Sequence, residues 1–282
     1  MVIFCLISCF FILFLIYVYA ENKMLITKFY KIKGVSDERL RIVQISDVHK
    51  KRCERLICRK VKSLSPDVIF LTGDMVSRNE TDLSYLEWLT AELAKICSVY
   101  ACPGNHELDM PAEIYKQYRE ILKKNGVVYL ENECSEFQHG KVKIRIAGAV
   151  LKYGIYRNPD GGYSGLESYT SEELREALGE KEGFTVLLAH NPLCFEAYCD
   201  WGADVVFSGH VHGGAIRLPV IGGLLSPERR FFPKYSKGVY KKGSTVMVVS
   251  GGIGKLRVFN PPEIVCCDMR TCLHKRMRTS FQ

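Results

Sequence analysis

The stretch "LRIVQISDVH" (residues 40–49) places a short apolar run directly before an aspartate and a histidine. Residues 40–46 have the length and the branched apolar side chains of a buried strand. The same order recurs in "DVIFLTGD" (residues 67–74), where an apolar run ends in an aspartate. Because ligands of open α/β sheets bind beyond the carboxyl ends of strands, these two strand ends are the first candidate positions for function.

Segments with helical periodicity alternate with these strands. Residues 53–64, 83–96 and 112–124 carry apolar side chains at helical spacing. The apolar run at residues 98–104 predicts a third strand. The resulting β-α-β-α-β order predicts parallel strands joined by helices.

The second half of the chain contains further strand-like segments. Residues 141–150 alternate polar and apolar side chains, as an antiparallel strand does. After a loop over residues 154–165, a helix is predicted at residues 171–179 with Ser171 as its N-cap. Other strands are predicted at residues 184–190, 203–209 and 245–252, and within residues 256–269. These elements together predict an α/β fold, a four-layer α/β/β/α sandwich of two mixed sheets packed with helices outside.

Residues 1–20, "MVIFCLISCFFILFLIYVYA", contain no charged side chain. This length suits one transmembrane helix, whereas a signal peptide usually has a shorter apolar region and a basic start. Val18 and Ala20 match a small-residue cleavage pattern, so a cleaved signal peptide is the alternative. The positive charges of residues 23–41 favour a single-pass membrane protein with its catalytic body on the cytoplasmic face, and the extracytoplasmic side stays open.

The chain is predicted to have four parts. A transmembrane anchor or signal peptide occupies residues 1–22, and a basic linker and lead-in follows at residues 23–39. One catalytic domain covers residues 40–270, and residues 271–282 form a basic C-terminal tail.

Charge and cysteine content argue against two classes of protein. The net charge of +8 is spread over several segments, whereas a nucleic-acid-binding protein concentrates its basic residues, so no specific nucleic acid is expected as a partner. The 12 cysteines include no CxxC pair and have no spacing typical of a disulfide scaffold or a zinc ribbon. Buried free thiols are therefore expected.

Polar side chains follow five of the predicted strands. They are Asp47 and His49, Asp74, Asn105 and His106, His190, and His210 and His212. Taken singly, an aspartate after a strand can cap a helix, and an asparagine or histidine can occupy a turn. Their joint occurrence at five strand ends predicts one shared site. Carboxylates, imidazoles and an amide oxygen suit Mn, Fe or Zn, and so many ligands predict two divalent metal ions rather than one.

These motifs occur in the order found in a known family. The segments "DVH", "GD", "GNHE", a lone histidine before "NP", and "GHVH" resemble the calcineurin-like metallophosphoesterases. The late segments "GGAIRLP", "PKYSKGVY" and "SGGIG…R…NPPE" are similar to one branch, the small bacterial phosphoesterases with an N-terminal anchor or export signal. The resemblance covers residues 40–268 and is specific for the family and the site rather than for the substrate.

The resemblance implies how the polar side chains divide between two metal ions. It assigns the first ion to Asp47, His49 and His212, the second ion to Asn105, His190 and His210, and the bridge between them to Asp74. It also implies that a hydroxide bridging the metals attacks phosphorus, which hydrolyses phosphate ester or pyrophosphate bonds.

Two further residues are implied to be catalytic without binding metal. His106 would face the substrate and stabilise the transition state or protonate the leaving oxygen. Arg78 lies where many members of the family carry an arginine that neutralises a phosphate oxygen. The family often has "GDxVDR" at this point, whereas this chain has "GDMVSR", with Ser77 replacing the acid. The support that this acid gives to a neighbouring side chain is therefore in doubt.

The predicted function is a membrane-tethered, monomeric metallophosphoesterase that acts on a small phosphate ester or on a lipid-linked or nucleotide-sugar substrate. Similar anchored members of the family include enzymes that cleave UDP-diacylglucosamine at its pyrophosphate. Within residues 222–240, Arg229 and Arg230 lie between apolar side chains and are candidate substrate-binding residues at a lipid surface. A nuclease or cyclic-nucleotide phosphodiesterase with the same metals, and a catalytically inactive membrane scaffold, are the alternatives.

Overall fold

Short strands alternate with helices through most of the chain and form two sheets. The computed structural model describes residues 2–218, 221–226, 231–255 and 257–270. Its helices are α1 (Val2–Lys23), α2 (Glu54–Leu64), α3 (Ser84–Ala94), α4 (Asn105–Leu108), α5 (Ala112–Lys124), α6 (Ser171–Leu178) and α7 (Phe195–Trp201), with 3-10 helices at Tyr153–Ile155 and Pro192–Cys194. Its strands are β1 (Ile26–Lys33), β2 (Leu40–Ile45), β3 (Val68–Thr72), β4 (Ser98–Cys102), β5 (Val128–Tyr129), β6 (Glu133–His139), β7 (Val142–Ala149), β8 (Thr185–Ala189), β9 (Val205–Ser208), β10 (Arg217–Leu218), β11 (Gly222–Gly223), β12 (Gly238–Lys242), β13 (Thr245–Val249) and β14 (Glu263–Arg270).

Three apolar cores hold the layers together. Leu89 of α3 belongs to the core between the helices and the outer face of the first sheet. Phe70 of β3 and Phe207 of β9 meet between the two sheets, with ring centroids 5.1 Å apart. Tyr198 of α7 belongs to the core outside the second sheet. The predicted four-layer α/β/β/α arrangement is therefore confirmed.

Both sheets are mixed. The first sheet has the strand order β1-β14-β2-β3-β4-β5, and the second has the order β12-β13-β9-β8-β7-β6. The strands β2, β3 and β4 are parallel neighbours, as the β-α-β-α-β order predicts. The strand β7 is antiparallel to β6, as its alternation predicts, and parallel to β8 on its other side.

The segment predicted as a basic linker, residues 23–39, contains a strand of the first sheet. This strand, β1, pairs in parallel with β14 from Ile26 to Lys33. Only Ile32 of β1 is buried, and the remaining side chains are exposed or half-buried. Lysines on an edge strand oppose pairing with a second chain, which explains why β1 has the composition of a linker. The first sheet therefore begins before residue 40.

The N-terminal residues form one long helix, α1. It is long and apolar enough to cross a membrane, a test that a signal sequence at this position also passes. With 22 residues, it extends roughly 33 Å at the α-helical rise, close to the thickness of a hydrocarbon core. Large apolar side chains such as Phe4, Phe10 and Ile16 are exposed. An exposed apolar helix of this length suits a lipid environment.

The cysteines that the structure describes are all free. Cys102 and Cys194 are buried, and burial raises the pKa of the half-buried Cys53 thiol to about 11. The expectation of free thiols is confirmed for this part of the chain, where four of the 11 described cysteines are buried, and Cys272 lies outside the described residues.

The N-cap of α6 is Thr170 rather than the predicted Ser171. The hydroxyl of Thr170 accepts a hydrogen bond from the Glu173 N–H at 3.2 Å, and the Glu173 carboxylate accepts one from the Thr170 N–H at 2.8 Å. This reciprocal pair is a capping box. The prediction is wrong by one residue because either hydroxyl can cap a helix, whereas only Thr170 has a glutamate three positions later to complete the capping box.

The substitution Thr170→Ala is expected to lower the free energy of unfolding by about 1 kcal/mol, because it removes the side-chain acceptor of the cap. Urea unfolding followed by tryptophan fluorescence measures the loss. Ser171→Ala is the matched control, since the Ser171 hydroxyl contacts the exposed carboxylate of Glu172. An equal or larger loss in Ser171→Ala would contradict the assignment of the cap.

Candidate metal centre

All the predicted metal ligands lie at one edge of the sandwich, where strands of both sheets end. The first sheet, through the ends of β2, β3 and β4, positions Asp47, His49, Asp74 and Asn105. The second sheet, through the ends of β8 and β9, positions His190, His210 and His212. The site is therefore shared between the two sheets.

The side chains form two groups with the spacing of metal ligands. One ligand atom from each of Asp47, His49 and His212 lies within 4.8 Å of the others, and the same holds for Asp74, His190 and His210. The groups adjoin, because His190 Nε2 lies 3.3 Å from Asp74 Oδ2 and 3.9 Å from Asp47 Oδ1. Asp74 Oδ2 is also 3.8 Å from His49 Nε2. Asp74 thus contacts members of both groups.

Burial determines the charges of these side chains. Burial alone would raise the pKa of Asp74, but His190 and other nearby imidazoles hold it well below its usual range. Burial raises the pKa of Asp47, and repulsion from Asp74 adds to this effect against the attraction of His190. Burial lowers the pKa of His49 and of His212 well below the usual value, so both rings are neutral near pH 7. Two buried carboxylates beside the neutral rings of His49 and His212 are an environment that favours a bound cation.

Several buried polar atoms at the site have no hydrogen-bond partner among the described residues. They are His49 Nδ1 and Nε2, Asn105 Oδ1, His190 Nε2 and His212 Nδ1. Because buried polar atoms are nearly always hydrogen-bonded, a cluster of unpartnered atoms indicates a ligand-binding role. Imidazole nitrogens and an amide oxygen beside carboxylates are donors that divalent transition metals accept. The residues present therefore fit a metal centre.

Five of the site residues have left-handed backbone conformations. The φ angle is 55° at Asp47, 53° at His49, 53° at Asp74, 68° at His210 and 55° at His212. Such conformations cost a non-glycine residue of order 1 kcal/mol or more, and they concentrate at functional sites. The left-handed residue turns the chain at the strand end, so its side chain points into the site instead of continuing the alternation of the strand.

Glycines allow the backbone to approach these residues closely. A Cβ on Gly73, where φ is 82°, would lie 2.6 Å from the Gly104 nitrogen and 2.6 Å from His190 Nδ1. A Cβ on Gly209 would collide with the Asp47 carboxylate. A side chain at either position would therefore displace the site residues.

His106 adjoins the metal ligands and lines the pocket above them. Its Nε2 is 3.9 Å from Asp74 Oδ2, and together with His49 these residues form a third cluster of metal-ligand spacing. The backbone N–H of Arg78 donates to His106 Nδ1 at 3.1 Å. Because Nδ1 accepts, the neutral ring carries its proton on Nε2. Burial lowers the pKa of His106 to about 4, so the ring presents a neutral N–H at the site.

Arg78 also lines this pocket, where it forms an ion pair with Asp109. The sequence analysis assigned no role to Asp109, which caps the end of α4. Ser77 stands where the related motif has an acid, and Arg78 has an acidic partner, Asp109, from a different segment of the chain. No local spacing in "GDMVSR" indicates this partner.

Glu107 is a second residue without a role in the sequence analysis, although it belongs to the "GNHE" segment. Its carboxylate is fully buried and accepts hydrogen bonds from the backbone N–H groups of Gly104, Asp74 and Val76, at 2.8, 2.8 and 3.2 Å. Glu107 therefore joins the turn after β3 to the turn after β4. Its position directly after Asn105 and His106 was the feature of the sequence that could have indicated a role for Glu107.

The late segment "SGGIG…R…NPPE" shapes the backbone around two metal ligands. Arg257 is buried and donates to the Gly254 carbonyl at 2.6 Å, and the Gly254 N–H donates to the Asp47 carbonyl at 2.6 Å. Asn260 Nδ2 donates to the His212 carbonyl at 2.7 Å. Residues that follow the last predicted metal ligand, His212, therefore hold the backbone of the site in place.

The pocket above the ligands has a volume of about 160 Å³. Besides the residues already named, its walls include Tyr153, Tyr156, Arg157, Tyr163 and Lys255. The Tyr156 ring lies 4.9 Å from the His210 ring, measured between centroids. The sequence analysis predicted a loop for residues 154–165 without a role at the site. Arg229 and Arg230, the two candidate substrate-binding arginines, lie outside the described residues.

Comparison with known proteins identifies the kind of site. A family model described as calcineurin-like phosphoesterase matches residues 40–214. The chain is 29% identical to the metallophosphoesterase YkuE of Bacillus subtilis, over 82% of this chain and 79% of the relative. It is 27% identical to the UDP-2,3-diacylglucosamine pyrophosphatase LpxG of Chlamydia trachomatis, over 84% of each chain. It is 25% identical to the phosphodiesterase YaeI of Escherichia coli, over 72% of this chain and 70% of the relative.

The substitution Glu107→Ala is expected to lower the free energy of unfolding by about 3 kcal/mol or more, because three buried N–H groups lose their acceptor. Glu107→Gln keeps one acceptor oxygen and is expected to cost less. Urea unfolding in the presence of a chelator measures both losses without a contribution from bound metal. Wild-type stability in Glu107→Ala would show that these N–H groups have another acceptor.

Proposed function

Since this chain belongs to the calcineurin-like phosphoesterase family and is a metal-dependent phosphoric ester hydrolase, we propose that it is a membrane-anchored dimetal phosphodiesterase or pyrophosphatase. The observation that carries the proposal is the pair of adjoining ligand groups with Asp74 in contact with both. The proposed metal is Mn, Fe or Zn, because oxygen and imidazole ligands together suit these ions.

The proposed ligands follow the two groups. Asp47, His49 and His212 would hold one ion, Asn105, His190 and His210 would hold the other, and Asp74 would serve both. The unpartnered oxygen of Asn105 supports its place in the second set. When bound, two divalent ions would polarise the phosphoryl oxygens and lower the pKa of water at the site.

The remaining polar residues of the pocket act on the substrate. His106 donates from Nε2 to a phosphoryl or leaving oxygen, since its Nδ1 is held as an acceptor by the Arg78 N–H. Arg78 neutralises a phosphate oxygen, with Asp109 orienting its guanidinium. In the overall reaction water adds its oxygen to phosphorus, the bond from phosphorus to the leaving oxygen breaks, and the leaving oxygen takes up a proton.

The organisation around this site supports a substrate at the membrane. We place an anchor in α1, one catalytic domain after it up to residue 270, and the catalytic domain on the cytoplasmic face, where basic residues following a span favour it. The relative LpxG is named for a lipid-linked nucleotide sugar, and YaeI is named as a phosphodiesterase. A lipid-linked phosphodiester or pyrophosphate is therefore the proposed substrate class.

The full-length protein in detergent, loaded separately with Mn, Fe or Zn, is expected to hydrolyse bis-p-nitrophenyl phosphate. Asp74→Asn is expected to lower turnover by about a hundredfold or more, because the shared carboxylate is lost. Elemental analysis is expected to find two ions per wild-type chain and fewer in Asp74→Asn. Two bound ions without turnover of this diester or of UDP-2,3-diacylglucosamine would refute the proposed activity.

The substitution His106→Ala is expected to lower kcat by about a hundredfold, because the Nε2 donor to the substrate is removed. Metal content is expected to stay at the wild-type level, since His106 belongs to neither proposed ligand set. His106→Asn, which restores a donor of similar reach, is expected to recover part of the rate. Loss of one metal ion from His106→Ala would instead make His106 a ligand.

A further inference from the structure

A cleft lies between the end of α1 and the metal ligands, and it is separate from the pocket above them. Its volume is about 470 Å³. The residues that line it are Asn22, Lys23, His49, Lys50, Lys51, Ser77 and Lys255. We call this cleft the basic cleft, because four of these residues are lysines and none is an acid.

The end of α1 is fixed to the loop that shapes the metal centre. Asn22 Nδ2 donates to the Arg257 carbonyl at 2.7 Å, and the Arg257 N–H donates to Asn22 Oδ1 at 3.1 Å. Lys51 Nζ donates to the carbonyls of Asn22 and Ile253, at 2.5 and 3.3 Å. Because Arg257 also holds the loop beside Asp47, these bonds fix the position of the helix end relative to the site.

The charge of the basic cleft is not neutralised by its own walls. Lys50 and Lys255 are exposed and have no carboxylate partner among the residues that the structure describes. Ser77 lies in the wall at the position where the related motif has an acid. The nearby carboxylate of Glu21, at the end of α1, does not line the cleft, because it is buried and accepts a hydrogen bond from the Tyr17 hydroxyl. A cleft lined by unpaired ammonium groups attracts an anion.

Lys255 connects the basic cleft to the catalytic pocket. Its side chain lines both cavities, and its φ of 62° turns it out of the loop that contacts Asp47. It also lines a third cavity of about 120 Å³, together with Leu225 and Ala215. An anionic group bound at Lys50 and Lys255 would therefore lie next to the pocket in which the proposed phosphoryl group reacts.

Apolar side chains lie on the same side of the site. Phe259, which is half exposed, packs against Phe14 and Tyr17 of α1, with ring centroids 6.2 and 5.5 Å apart. Phe231 and Phe232 are exposed in the segment that begins beside Leu225. Exposed aromatic side chains next to an apolar helix are typical of a surface that enters the membrane interface.

We propose that the basic cleft binds the phosphate-bearing headgroup of a membrane amphiphile, whose acyl chains remain in the bilayer beside α1. Lys50 and Lys255 contact the anionic headgroup, and the scissile phosphorus reaches the metal centre past Lys255. The inference rests on the proposed anchoring by α1 and names the route by which the substrate of that enzyme enters. A soluble phosphate ester would not need this route.

The test compares two probes with the same headgroup, using the full-length protein reconstituted in phosphatidylcholine vesicles. UDP-2,3-diacylglucosamine is embedded in the vesicles, and UDP-N-acetylglucosamine, whose 2-nitrogen is also an uncharged amide, is free in solution. Wild-type kcat/KM is expected to favour the diacyl probe. Lys50→Gln is expected to lower kcat/KM for the diacyl probe about fivefold, and Lys50→Gln with Lys255→Gln further, because each lysine contributes one attractive charge of about 1 kcal/mol to the anionic headgroup. The neutral carrier lipid removes general attraction to an anionic surface as an explanation.

Lys241→Gln is the matched control, because Lys241 is exposed on the edge strand β12 of the other sheet. It removes the same charge and is expected to leave both rates at the wild-type level. Equal kcat/KM for the diacyl probe in Lys50→Gln, Lys241→Gln and the wild type would overturn the proposal. A wild-type enzyme that cleaves UDP-N-acetylglucosamine as well as the diacyl probe would also overturn it.

A binding measurement separates this inference from the proposed activity. The Asp74→Asn protein is expected to be stabilised against heat by the diacyl probe, and this stabilisation is expected to be lost with Lys50→Gln. Hydrolysis of bis-p-nitrophenyl phosphate without stabilisation or cleavage of the diacyl probe would refute the basic cleft and leave the activity intact. Stabilisation that depends on Lys50, without hydrolysis of any substrate, would refute the activity and leave the basic cleft intact.

Discussion

Two carboxylates, those of Asp47 and Asp74, are buried together where the two sheets meet, and the rest of the site depends on them. Burial of an uncompensated charge costs several kcal/mol, so neighbouring groups must offset it. His190 comes from the second sheet to within 3.3 Å of Asp74, which makes the packing of the sheets a condition for the site. The charge is offset only when strands far apart in sequence end at the same edge.

The backbone of the site is strained, and its support comes from residues outside the ligand set. Left-handed conformations at five ligands turn their side chains toward one centre. Glu107 binds three backbone N–H groups of the turns after β3 and β4, while Arg257 and Asn260 hold the turns that contain Asp47 and His212. These contacts hold the proposed ligands in position from the protein side, which would lower the cost of assembling a metal centre.

The loop that contains Arg257 connects the candidate metal centre to the N-terminal helix. Arg257 binds carbonyls near Asp47 and also pairs with Asn22 at the end of α1. A helix docked by hydrogen bonds keeps a fixed position relative to the site, which a flexible linker would not do. The position of β1 in the first sheet has the same consequence, because the chain enters the sheet within a few residues of Lys23.

The sequence by itself determined the alternating elements, the parallel order of β2, β3 and β4, and the ligand types, since periodicity and strand-end polarity are local properties. It also indicated the two ligand sets through the order of the family motifs. Only the tertiary structure decided that Asp109 pairs with Arg78, that β1 is part of the sheet, and that Lys50 and Lys255 share a cleft. These contacts join residues distant along the chain, and no local pattern records which distant side chain will meet which.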